Sequence, residues 1–160
     1  MMADDESRDM IPRSEDSTED KLLFLQENMV NFVNQYNLPI IETSLVISKY
    51  LRILTQSLVG QAENNNEIIP PEILNPIPIE KNVLRSSISE FSLDSLLNQV
   101  DNDRMDIFDT IIRTIINSSE LNFTDAILLL RDWESIIRNQ LAKATSPGHL
   151  FSPLELPNDF

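Results

Sequence analysis

Apolar residues recur along two stretches of the chain with the three-and-four spacing of amphipathic helices, and a proline-bearing stretch between them breaks the rhythm. In the first, Leu22, Leu25, Met29, Phe32, Val33 and Tyr36 form one stripe, with Asp20 as the expected N-cap and Pro39 as the stop. A second helix is expected from Thr43 or Ser44, burying Leu45, Ile47, Tyr50, Leu51, Leu54 and Leu58 and ending at Gly60.

The middle stretch starts with a polar linker over residues 61–67. It continues as Ile68-Ile69-Pro70-Pro71-Glu72-Ile73-Leu74-Asn75-Pro76-Ile77-Pro78-Ile79. Its prolines exclude a regular helix or an interior strand, yet its isoleucines and Leu74 are too apolar for a solvated spacer. An extended segment laid along an apolar groove, its own or a partner's, satisfies both constraints.

Helical spacing resumes after Ser87, which with Glu90 is the expected capping box ahead of Phe91, Leu93, Leu96, Leu97 and Val100, with Ser92 as the alternative cap of a shorter helix. A further helix carries Met105, Phe108, Ile111, Ile112, Ile115 and Ile116. The last has Thr124 as its expected N-cap and Ile127, Leu130, Trp133, Ile137 and Leu141 as its seam, up to Ser146-Pro147-Gly148. The tail from His149 again combines prolines with Phe151, Leu154, Leu156 and Phe160, and reads as extended.

The expected fold is therefore all-α, with about five amphipathic helices in two groups joined by the extended Pro/Ile segment. The expected layout is a disordered acidic arm (1–20), a helical hairpin (21–60), linker and extended segment (61–86), a C-terminal helical region (87–145) and an extended tail (146–160). The arm carries eight acids against Arg8 and Arg13, with little to bury.

Charge changes the functional picture. Twelve Lys and Arg face 26 Asp and Glu, a net charge of −14, and the basic residues are scattered. Phosphate-backbone binding rests on clustered cations, so direct nucleic-acid binding is not expected. The acidic arm suits a basic protein surface instead. No apolar run reaches the roughly 18 residues of a spanning helix, and the polar start is no secretory signal, so a soluble intracellular protein is expected.

Candidate chemistry is sparse. The chain has no Cys, one His and two Gly. Thiolate chemistry and glycine-rich phosphate loops are therefore excluded. Asp101, Asp103, Asp106 and Asp109 fail the calcium-loop pattern, which wants glycine at the sixth position and glutamate at the twelfth, where Asp106 and Ile112 stand. Those acids read as caps and flanks of a helix N-terminus. His149 lacks a partner for catalysis or metal binding, so no catalytic residue, metal or cofactor is expected.

The expected function is thus a non-catalytic interaction subunit of a larger intracellular assembly. The acidic arm and the dipeptides Ser146-Pro147 and Ser152-Pro153 favour a nuclear, chromatin or transcription setting. Its partner-binding residues would be Ile73, Leu74 and Ile77 in the middle segment, Trp133, Ile137 and Leu141 on the last helix, and Phe151, Leu154, Leu156 and Phe160 in the tail. On that view the tail lies outside the core, and removing it leaves the helices folded. The alternative is a self-sufficient helical regulator, viral ones included, that captures a partner helix in a groove. A metal-dependent or hydrolytic enzyme built on the aspartates is the remote third reading.

Overall fold

A computed structural model describes residues 10–77, 97–158 and 160. The expected capping box at Ser87 and Glu90 and the helix start at Phe91 lie outside the described residues, as do residues 1–9 of the arm and Pro78 and Ile79. The protein is all-α. Among the described residues the extended pairing is limited to one antiparallel bridge between Pro39 and Pro153.

Helix α1 spans Thr18–Tyr36 and starts earlier than its stripe implies, because Ser17 rather than Asp20 is the cap: its Oγ accepts the Asp20 N–H at 3.1 Å. The boundary of the folded region moves forward accordingly. Residues 13–16 form a turn in which Asp16 Oδ2 accepts the Arg13 N–H at 2.7 Å. The buried Lys21 ammonium reaches back 2.8 Å to the Ser14 carbonyl and ties that turn to the helix. α1 ends at Asn37, whose φ of 47° is the left-handed conformation that asparagine tolerates.

Helix α2 spans Ile40–Asn64 and corrects both expected ends. Asn37, not Pro39, closes α1, and Pro39 instead takes the extended N-cap geometry that starts α2. Gly60 does not end it. The stop is the asparagine run, where Asn66 takes φ 57° and the Glu67 N–H bonds the Ala62 carbonyl at 2.8 Å.

Helix α3 is one turn, Pro71–Leu74, inside the segment expected to be free of helix. Proline is tolerated there because the first helical position needs no N–H donor. For the same reason the tail holds a second single turn. It follows α4 (Asn102–Ser119) and α5 (Phe123–Ala142) as α6, Pro147–Leu150. Asp101 caps α4 through Oδ1 to the Arg104 N–H at 3.1 Å, as its acid flank implied. Asn122, not Thr124, caps α5, its Oδ1 accepting the Thr124 N–H at 2.8 Å.

The two groups pack into each other. α2 lies mainly against α5 and α1 mainly against α4, with further contacts of α1 with α5 and α2 with α4. Neither α1 with α2 nor α4 with α5 makes comparable contact, so helices adjacent in sequence are not hairpins packed on themselves. One shared core results, with Leu25, Met29, Ile47, Phe108, Ile112, Ile127, Leu130 and Trp133 sealed from solvent. Phe32 and Phe108 stack across the α1–α4 seam at 5.4 Å.

Candidate functional site

The residues expected to face a partner are largely spent inside the chain. Trp133 is 0% exposed, and its indole N–H donates 2.7 Å to Gln26 Oε1 on α1. Ile137 and Leu154 are buried, while Leu141, Phe151, Leu156, Phe160 and Ile73 are half-buried. Only Leu74 and Ile77 are exposed. These ten positions therefore do not form one free apolar surface, which corrects the expectation for α5 and the tail. The physical reason is that α1 and α2 supply the other walls, and the tail then covers the remainder.

Backbone bonds, one glutamine and an aromatic contact hold that tail. The Ile40 N–H donates to the Ser152 carbonyl at 2.9 Å and the Leu154 N–H to the Leu38 carbonyl at 3.0 Å. Gln140 bonds Glu155 in both directions, its amide donating to the carbonyl and its Oε1 accepting the N–H. Phe160 meets Trp133 edge-on, with ring centres 5.0 Å apart. The middle segment is held by arginines two helical turns apart on α5. Arg131 donates to the Leu74 carbonyl at 2.9 Å, and Arg138 to the Ile77 carbonyl at 2.9 Å. Leu74 and Ile77 of the Pro/Ile segment thus lie along the chain's own helix.

Titratable groups meet between α2 and α4. Asp109 Oδ2 lies 3.2 Å from Lys49 Nζ and 3.9 Å from Arg113, while its Oδ1 is buried with no partner. The Tyr50 hydroxyl donates to the Asp109 carbonyl at 3.1 Å. Burial first, then the Asp109 side chain, push the Tyr50 phenol far above its ordinary value. His149 Nδ1 accepts the Thr145 N–H at 2.9 Å, a local turn contact. No group of three His, Cys, Asp or Glu among the described residues could hold a metal ion. No helix there is long and apolar enough to cross a membrane.

Among the described residues, a recess of mixed apolar and acidic lining opens beside the start of α1. Residues 10–13 pass beside α1 and leave a cavity of about 710 Å³ walled by Met10, Ile11, Leu23 and Phe24, with Arg13, Asp16, Asp20 and Glu27 on its rim. A second cavity of about 260 Å³ shares Ile11 and Phe24 and continues between α1 and α4, past Asn28, Thr110, Ile111 and Thr114. Met10 is 60% exposed and Leu23 57%. Sequence reasoning missed this groove because it followed the Leu22–Leu25–Met29 stripe alone. The signal was the unbroken run Leu22-Leu23-Phe24-Leu25, which wraps beyond one helix face and leaves Leu23 off the core side.

No protein-family model, curated protein or solved structure matches this chain.

Proposed function

We propose that this protein is a non-catalytic protein–protein interaction module, a self-packed helical domain that receives a partner segment in the groove between residues 10–13, α1 and α4. The observation that carries this reading is the groove itself: exposed Met10 and Leu23 beside half-buried Ile11, Phe24 and Ile111 in one recess. A recess flanked by two helices matches the way apolar helix faces are captured. The interlocked core supports the self-sufficient form of the reading over an obligate subunit that folds only on its partners. A nuclear setting belongs to the same proposal, supported by the acid excess and by an exposed Ser152 ahead of Pro153.

The test is to purify the tagged full chain with its partners at moderate salt and compare two exposed-leucine variants. Leu23→Glu in the groove is expected to lose the partners while keeping its helical circular dichroism. Leu128→Glu, on α5 and outside the groove, is expected to keep them. Loss with the second variant alone would place the interface elsewhere.

A further inference from the structure

The charge pattern around the open groove identifies the chemistry of its occupant. On α1, Asp20, Leu23, Phe24 and Glu27 follow at i, i+3, i+4 and i+7, so a carboxylate stands one turn before and one turn after an apolar pair on the same face. Asp16 adds a third carboxylate from the preceding turn. Among the described residues Arg13 is the one cation lining the cavity, and its guanidinium lies 3.9 Å from Glu15. Lys21, the next nearest in sequence, is buried with its ammonium on the Ser14 carbonyl and forms no ion pair with these carboxylates. Asp20 and Glu27 form no ion pair among the described residues.

We propose that the groove binds a basic amphipathic helix of another protein. Its apolar side chains would cover Ile11, Leu23 and Phe24, and its Lys or Arg residues would stand opposite Asp20 and Glu27. This inference rests on the interaction-module reading and adds the partner's chemistry. Two rival occupants meet like charge there: the chain's own first nine residues hold four acids against one arginine, and a second copy carries −14. A basic helix instead gains attraction at the rim and burial of apolar surface at the floor, which the acids alone would not offer.

The probe is a synthetic 18-residue amphipathic peptide of leucine and lysine, measured against the full chain by fluorescence anisotropy at physiological salt. A leucine–glutamate peptide of the same pattern serves as its counterpart. The expected result is that Asp20→Lys with Glu27→Lys weakens binding roughly tenfold, while Glu63→Lys with Glu67→Lys, an equal charge change at the far end of α2, weakens it less than about twofold. Leu23→Ser is expected to weaken it as well, and the neutral pair Asp20→Asn with Glu27→Gln to fall between. Equal losses from both lysine pairs would show attraction to net charge alone and overturn the proposal. Comparable binding of the leucine–glutamate peptide would overturn it too. The two readings fail separately: a natural partner lost with Leu23→Glu but indifferent to the rim reversals removes the basic-helix inference and leaves the interaction reading. Retention of that partner by Leu23→Glu removes both.

Discussion

Glu42 and Arg104 join the first turns of α2 and α4 by a two-pronged contact, Arg104 Nε to Glu42 Oε1 at 3.0 Å and Nη2 to Oε2 at 2.7 Å. Glu42 is 0% exposed, whereas the Arg104 side chain keeps about a third of its surface. The parallel bonds suit guanidinium geometry and raise the Arg104 pKa further. Because α2 and α4 belong to different halves of the chain, this pair helps fix how the halves interlock.

Removing one partner is expected to cost more than removing both. Arg104→Ala leaves the Glu42 carboxylate buried and is expected to lose about 3 kcal/mol, the low end for a broken buried pair because the arginine is partly solvated. Arg104→Lys should recover little of it, since an ammonium cannot make the fork. Glu42→Leu combined with Arg104→Met should recover most. Urea unfolding of the three variants checks the order.

Alkaline pH should loosen the fold through Tyr50. Its phenol titrates higher folded than unfolded, so the stability it contributes is full below the unfolded pKa of about 10 and is lost as pH rises above that value. Tyr50→Phe is expected to cost about 1 kcal/mol near neutrality by deleting the bond to the Asp109 carbonyl, and to flatten the alkaline loss. Chemical denaturation at pH 7 and pH 10.5 measures both effects.

The turn after α4 places Glu120 at φ 53°, where a side chain is strained and glycine is not. Glu120→Gly is expected to stabilise the protein by about 0.5–1 kcal/mol, the relief of strain less the added freedom of the unfolded chain. A higher urea midpoint at unchanged slope is the readout.

Most of the helical framework was legible from spacing, because each long helix has an apolar stripe at helical period. The ends were not. Gly60 looked like a stop, yet nothing lies within 4 Å of where its Cβ would be, and the buried Ala62 draws the helix onward. Proline at first helical positions hid α3 and α6, since it forbids a helix only in the interior. The pairing of helices was invisible: stripes say what is buried, not against what. That is why Trp133 read as a partner anchor when its partners are Gln26 and Phe160 of the same chain.

The tail's role reverses accordingly. Truncation after Ala144 removes the buried Leu150 and Leu154 and frees the start of α2, so a loss of roughly 3–6 kcal/mol is expected from the two leucines alone. Trp133→Ala should cost about 3–5 kcal/mol. Thermal melts followed by circular dichroism should show both variants less stable than the parent, in contrast to a tail that hangs free.

On the proposed reading, partners dock between residues 10–13, α1 and α4 while α5 and the tail serve the core. Hydrogen exchange of the full chain, alone and with the partner recovered from cells, tests it directly. The account predicts added protection over residues 10–28 and 107–115, with α5 and residues 150–160 unchanged. Added protection confined to α5 and the tail would contradict it.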